Sequence, residues 1–291
     1  MNYRLKSNTI GWSFVLISVI FICWFYFYPM IQALILSFKS GAGANLHFVG
    51  LNNYIRLFSD PTFIAAITNT FIYLIVQVPI MIILALFISV LLNDRSLKYK
   101  GFFRTAIFLP CVTSLVAYSV IFKYLFATNG LVNKFLLSLS LIPDPIPWLT
   151  NPFWAKITII IAITWRWTGY NMIFYLSALQ NVDPSIYEAA RIDGASGVHQ
   201  FFKITIPLLK PIILFTSITS TIGTLQIFDE IMNITKGGPG NSTTSISQYI
   251  YNLSFKYTPD FGYAATVSYI IVILIILFSI LQFKVAGDRD V

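Results

Sequence analysis

Residues Asn181–Pro211 read N-V-D-P-S-I-Y-E-A-A-R-I-D-G-A-S-G-V-H-Q-F-F-K-I-T-I-P-L-L-K-P, and the rest of the chain is best read outward from them. Asp183 followed by Pro184 marks a helix start. A carboxylate there accepts from the orphan N–H groups of the first turn, and Pro at the first helical position sacrifices no bond. Glu188 suits the N-terminal half of the helix dipole, and Glu188 with Arg191 forms an i,i+3 pair. Gly194 is placed to end the helix in the left-handed conformation, and Ser196 to begin the next one. The spacing predicts a short rigid helix, about 15 Å long at 1.5 Å per residue. Ala189 and Ala190 give it a small-residue patch that another protein's backbone can approach. The alternative is a solvated loop, which has no need of so many caps.

On both sides of this segment the sequence turns apolar. A helix needs roughly 20 apolar residues to cross the bilayer core. Six stretches qualify: Ile10–Phe38, Thr70–Leu92, Thr105–Phe126, Phe153–Ala178, Ile204–Phe228 and Gly262–Phe283. The expected fold is an all-α membrane protein of six transmembrane helices, one domain over 1–291, with the capped segment 183–207 between spans four and five. Composition agrees. Of the 291 residues, 57% are hydrophobic and 10% charged, against about 25% charged in soluble domains. That excludes an ordinary soluble enzyme, a disordered tail and a coiled coil. The first stretch follows Arg4 and Lys6 as a signal peptide does, but it exceeds the ~7–15 residues of a signal core and lacks a small-x-small site, so a retained anchor is expected.

The formal charge of +8 is read for orientation rather than for nucleic acid. With the N-terminus inside, the inner segments hold Arg4, Lys6, Arg95, Lys98, Lys100, Arg104, Arg191, Lys203, Lys210, Lys284 and Arg289. The longer outer segments hold only Lys39, Arg56, Lys123, Lys134, Lys156, Lys236 and Lys256. Both termini are therefore expected in the cytoplasm. Pro and Gly shape the outer loops: Ile142–Trp148 reads I-P-D-P-I-P-W, which excludes regular helix, and Lys236–Asn241 reads K-G-G-P-G-N, a turn. Leu51–Phe58 is expected as a short helix on the outer surface, its aromatic and basic residues suiting the interface. There is no low-complexity segment, no linker between soluble domains and no clear internal repeat.

A path through the bilayer needs polar groups on span faces. Thr164, Trp167, Thr168, Asn171, Tyr175 and Ala178 share one face of span four, and Ser217, Ser220, Thr221, Thr224 and Phe228 one face of span five. Hydroxyl, amide and aromatic groups hydrogen-bond and stack on sugars; equally, such residues pack membrane helices together. Gln77 and Pro79 interrupt span two, and Gln77 can serve as a cross-link between helices. Arg166, well inside span four, is costly in lipid and so a functional candidate. It has three readings: contact with an anionic substrate, an ion pair with Asp229 or Glu230, or stacking on the neighbouring tryptophans. The ion pair is favoured. Asp229 and Glu230, near the outer end of span five, either help substrate enter or are interface charges in water.

Catalytic chemistry finds no material. The chain has no G-x-x-x-x-G-K-[ST] phosphate loop, no HExxH and no GxSxG. Cys23 and Cys111 lie in apolar runs, and only His47 and His199 complete the soft-ligand inventory, so neither a disulfide framework nor a metal site is expected. Ion-coupled secondary transport would call for intramembrane carboxylates, of which the spans hold few.

Glu188-Ala189-Ala190, Asp193-Gly194-Ala195, Phe201, Ile204, Pro207 and Pro211 together resemble the EAA motif of membrane subunits of binding-protein-dependent ABC importers. The resemblance extends over nearly the whole chain and points to the maltose-type sugar permeases. It includes Phe48-Val49-Gly50-Leu51-Asn52-Asn53-Tyr54, Asp60-Pro61, Asn69-Thr70, Phe103-Arg104, Phe108-Leu109-Pro110, Gly130, Asn133, Phe228-Asp229 and Gly237-Gly238-Pro239-Gly240-Asn241. Ile206 stands where Leu is usual, Phe122 where Trp is expected, and the outer loops are short.

The resemblance implies a type I importer permease in a bacterial or archaeal inner membrane. Its partners would be a second homologous permease, two cytoplasmic ATPase subunits that bind ATP and Mg, and an extracytoplasmic solute-binding protein. Glu188, Ala189, Ala190, Arg191, Asp193, Gly194 and Pro207 would then couple to the ATPase, with the capped helix as a coupling helix. The implied cargo is a di- or oligosaccharide, with a uronide oligosaccharide or a sugar or glycerol phosphate as the alternative that Arg166 leaves open.

Overall fold

A computed structural model describes residues 2–41, 46–94 and 96–287. Of the orientation residues, Arg95 and Arg289 lie outside the described residues, as do the side chains of Arg4 and Lys6. In chain order the elements are α1 (Asn2–Ile22), α2 (Tyr28–Ser37), β1 (Lys39–Ser40), β2 (His47–Phe48), α3 (Asn52–Leu57), α4 (Pro61–Asn93), α5 (Lys100–Val112), α6 (Leu115–Leu125), α7 (Leu131–Ser138), α8 (Pro152–Gln180), α9 (Pro184–Ile192), α10 (Gly197–Gln200), α11 (Ile206–Leu225), α12 (Asp229–Ile234), α13 (Ile246–Tyr251) and α14 (Phe261–Gly287). Wider π-type turns join α1 to α2 over Cys23–Phe27, lead into α11 over Phe201–Thr205 and follow α13 over Asn252–Lys256.

Four helical stretches among the described residues are long and apolar enough to cross a bilayer: Phe14–Ser37, Pro61–Asn93, Gly197–Leu225 and Phe261–Val285. The pair α5 and α6 makes a fifth when taken as one broken span. The 29 residues of α8 rise about 43 Å, more than the ~30 Å hydrocarbon core, but its polar residues keep it below that apolar standard. These elements are compatible with six spans.

Two expectations are corrected. Thr105–Phe126 is not one helix: α5 and α6 bend by 99° at Thr113 and Ser114. Pro110 cannot donate in the last turn of α5, and Thr113 and Ser114 are extended (ψ 150° and 132°), which ends the ladder. Conversely, α4 passes through Pro79 unbroken and begins at Pro61, well before Thr70. One missing N–H is tolerated where neighbouring helices hold the chain.

The described residues fall into two compact units. The first comprises Met1–Asp60 with Ile250–Ile270. Here Asn53 donates to the carbonyls of Ser37 (2.9 Å) and Lys39 (2.8 Å), and Thr266 donates to Ser37 O at 3.0 Å. These donors satisfy carbonyls that the end of α2 leaves open.

The second unit comprises Pro61–Tyr249 with Ile271–Val291. Its spine is α4 against α8. Asn151 opens α8 by accepting from the N–H of Phe153 and Trp154, with Pro152 at the first position. One core gathers Tyr73, Tyr118, Phe122, Trp148, Ile159 and Ile231, and a second gathers Ala85, Leu86, Met172, Leu176, Leu179 and Leu209. The loops are held by side chains rather than by regular structure. Asn133 donates to Thr128 O and Ile146 O and accepts from Ile146 N and the Trp148 indole, fixing the proline-rich loop. Asn69 donates to Asn241 O and Thr244 O, and Tyr73 to Thr243 O, which fastens the glycine-rich turn to α4.

Gly169 sets how closely α5 approaches α8, because a Cβ there would strike the backbone carbonyl of Ile107. Gly169→Leu is expected to prevent stable accumulation of the chain in the membrane fraction, measured by immunoblot and detergent-resistant folding. Gly101→Ala, with no neighbour within 4 Å, should accumulate normally.

Candidate functional site

The capped segment forms as the sequence reading expects. Asp183 accepts from Ser185 N at 2.9 Å, Pro184 opens α9, Gly194 adopts φ +79°, and Ser196 accepts from His199 N at 3.3 Å. The Ser185 bond holds the Asp183 carboxyl below its usual range. This cap therefore strengthens α9 at neutral pH and is lost as pH falls through that lowered value. Glu188, Ala189, Arg191, Asp193 and Gly194 are exposed, Ala190 is half-buried, and Pro207 is exposed at the start of α11. Ile192 is 86% exposed and Val198 70%.

The expected pairing of Glu188 with Arg191 is not made; no ion pair of 4.0 Å or less joins them. Both side chains instead border a cavity of about 780 Å³ with Asp94, Lys100, Arg104 and Gln200. Asp94 accepts from the N–H and hydroxyl of Ser96 at 2.8 and 2.9 Å. Those bonds, with the fields of Lys100 and Arg191, hold its carboxyl below the usual range. The Tyr187 and Thr205 hydroxyls hydrogen-bond at 3.1 Å, tying α9 to the wide turn that begins the fifth span.

Most of the polar residues expected to line a path are helix cross-links. Thr224 donates to Gln77 Oε1 at 3.1 Å, and Gln77 and Asn171 both donate to Met81 Sδ, at 3.2 and 3.3 Å. This chain of contacts joins α11, α4 and α8 at buried positions. The Tyr175 and Thr216 hydroxyls meet at 2.6 Å. Gln282 donates to Ser217 and Thr221, at 3.1 and 2.8 Å. Thr168 donates to Thr164 O, and the Thr164 hydroxyl is buried without a hydrogen-bond partner. Ser220 is half-buried and Asp229 exposed. Phe228 does not share the α11 face: the helix ends at Leu225, and Phe228 precedes α12. The Ile227 carbonyl is bound there by Ser245 at 2.6 Å.

Arg166 is 6% exposed. The favoured ion pair is not closed, since neither Asp229 nor Glu230 comes within 4.0 Å of it, although the buried Glu230 lies near enough for the two charges to act on each other. Its guanidinium donates to Thr113 O at 3.3 Å and Cys111 O at 3.4 Å and lies over the rings of Tyr118 (4.9 Å) and Trp167 (5.7 Å). The break after α5 supplies the reason. Carbonyls at a helix C-terminus lack intrahelical donors and carry its negative dipole end, so they attract a buried cation. The stacking alternative survives, on Trp167.

Beyond Trp167, already expected on the polar face, an aromatic run lies beside it that the sequence did not single out. Trp167 and Tyr170 meet edge-on at 5.7 Å, Tyr170 and Phe174 at 5.0 Å, and Phe174 meets Phe215 of α11 at 5.7 Å. Trp167 and Phe215 are exposed, and Tyr170 and Phe174 half-buried. The i, i+3, i+7 spacing of Trp167, Tyr170 and Phe174 was the available signal.

Residues 56–287 match the family described as binding-protein-dependent transport system inner membrane component. The chain belongs to this family. It is therefore a multi-pass membrane transport component and not an enzyme. It is 57% identical over 281 residues to the lactose transport system permease protein of Rhizobium radiobacter, covering 96% of this chain and 94% of that one. It is 35% identical over 264 residues to the arabinooligosaccharides transport system permease protein of Halalkalibacterium halodurans, covering 90% and 82%. Among solved structures, a chain of a bacterial ABC transporter involved in the import of the acidic polysaccharide alginate shares the fold. Its TM-score is 0.85 at 22% identity, covering 98% of this chain and 97% of that one.

As in any membrane component, a buried cation in this permease must be matched by acceptors. Arg166→Ala is expected to lower the thermal stability of the purified protein by on the order of 2 kcal/mol, because two partly buried carbonyls lose their donor. Transport per folded molecule should stay near normal; a selective loss of transport at unchanged stability would make Arg166 a cargo contact.

Proposed function

We propose that this permease passes a neutral di- or oligosaccharide from an extracytoplasmic binding protein to the cytoplasm. A second permease would complete the path, and two ATPase subunits, which bind ATP and Mg, would drive it. The observation that carries the reading is the aromatic run Trp167–Tyr170–Phe174–Phe215, partly open and crossing from α8 to α11. Sugar rings present flat C–H faces that stack on such rings, and successive rings suit successive sugar units. The 57% identity to a lactose permease supports the sugar class. Neutral cargo is favoured because the Arg166 nitrogens Nη1 and Nη2 are engaged by carbonyls.

Both termini lie in the cytoplasm in this reading, in line with the excess of Lys and Arg in the inner segments. Helix α9 then projects toward the ATPase. ATP closure would move α9, and Tyr187–Thr205 would carry the motion into the fifth span. ATP on one side and loaded binding protein on the other bias one two-state element.

Reconstituted with its partners and a loaded binding protein, Tyr170→Ala with Phe174→Ala should lower uptake by about tenfold or more, equivalent to 1.4 kcal/mol, without loss of assembly. Unchanged uptake would remove the aromatic path. A cognate binding protein that captured an amino acid or a metal would overturn the sugar class. Glu188→Lys should leave membrane insertion intact while abolishing binding-protein-stimulated ATP hydrolysis and uptake together; full uptake would refute coupling through α9.

A further inference from the structure

We propose that α3 and the residues beside it form an interfacial anchor, with Phe48, Leu51, Ile55 and Phe58 inserted among the lipids of the outer leaflet. These four side chains are 75%, 62%, 64% and 84% exposed, while Asn53 and Leu57 on the opposite side of α3 are 4% and 2% exposed. So short a helix with one apolar flank open needs a covering.

The depth of α3 identifies that covering. Asn53 binds the carbonyls of Ser37 and Lys39. The Tyr54 and Ser37 hydroxyls meet at 2.8 Å, and the Tyr54 ring packs on Phe38 at 5.6 Å. Ser37 is the last residue of the apolar stretch Phe14–Ser37, so α3 is bolted to the end of a candidate span, which the proposed topology puts at the outer boundary of the hydrocarbon. A second set of contacts reaches the start of another span, Phe261–Val285. Arg56 binds Asp260 at 2.8 Å and lies 3.9 Å from the Tyr263 ring centroid, and the Tyr263 hydroxyl donates to Asp60 at 2.7 Å. The charge of Arg56 is thereby drawn to Asp260, and the apolar flank is left without it. On the first span, Ile31 and Ile35 are likewise open, 52% and 44% exposed. An amphipathic segment at this depth buries its apolar side among headgroups and upper acyl chains. The occupant is therefore phospholipid, not the binding protein.

The test uses the full transporter in lipid nanodiscs, with Cys23→Ser and Cys111→Ser removing the native thiols. Environment-sensitive fluorophores are placed through Phe58→Cys, Leu51→Cys and, as an exposed-loop control, Asp144→Cys. Labels at 58 and 51 should emit to the blue of the control and lose at least half their intensity to phosphatidylcholine carrying a nitroxide high on its acyl chain. Adding loaded binding protein should leave both unchanged. Water-like emission without lipid quenching at both positions would overturn the anchor. So would a blue shift that appears only when binding protein docks, which would reassign the surface to that partner. Position 51 keeps the test valid if labelling at 58 disturbs the fold.

Discussion

The constraint on which this permease turns is that α8 is too polar to face lipid unaided. Thr164, Arg166, Thr168 and Asn171 fall within two turns of one helix, and all are buried. In hydrocarbon each needs a partner. The molecule meets most of the demand by surrounding α8, the Thr164 hydroxyl and Arg166 Nε being left without a hydrogen-bond partner. Helix α4 runs beside it, α5 presses against Gly169, and α11 reaches it through Tyr175 and Thr216. The sulfur of Met81 takes both amides, from Gln77 and Asn171. Arg166 is served by carbonyls that exist only because the third span breaks. The break and the buried cation are thus one arrangement seen from two helices.

Much of this was legible in the sequence, for local reasons. The caps of α9 at Asp183, Pro184, Gly194 and Ser196 use side-chain and backbone chemistry that acts within three residues, so spacing alone placed them. The apolar runs were equally plain. Harder to read was anything dependent on which helix lies opposite. Pro79 and Pro110 look alike in the sequence, yet α4 passes one while the third span breaks just beyond the other, where Thr113 and Ser114 add extended backbone. The polar faces of the fourth and fifth spans were found, but periodicity cannot tell a face turned to a path from one turned to a neighbouring helix. The aromatic run beside them has a helical spacing of its own, but aromatic residues are ordinary in membrane spans, so spacing alone does not single it out.

The charge of Arg166 teaches the same lesson. Sequence reasoning sought a carboxylate for it, since opposite charges are the obvious partners. Helix ends are also partial charges, and those created by a broken span cannot be seen until the break is. Motif residues such as Asn69, Asn133 and Asn53 likewise gain meaning from geometry. Each amide holds a stretch of loop backbone, doing for irregular chain what a ladder does for a strand.

Helix α4 has one more consequence. Its 33 residues rise about 50 Å, some 20 Å more than the hydrocarbon core is thick. Asn69, Thr70 and Tyr73, in its first half, grip the turn at Asn241–Ile246. The grip lies within about 6–12 Å of the middle of the helix, so the turn is held near the centre of the rod and not at its tip. A glycine-rich turn fastened there takes its position from the body of α4, so the placing of an irregular loop becomes a property of one straight helix.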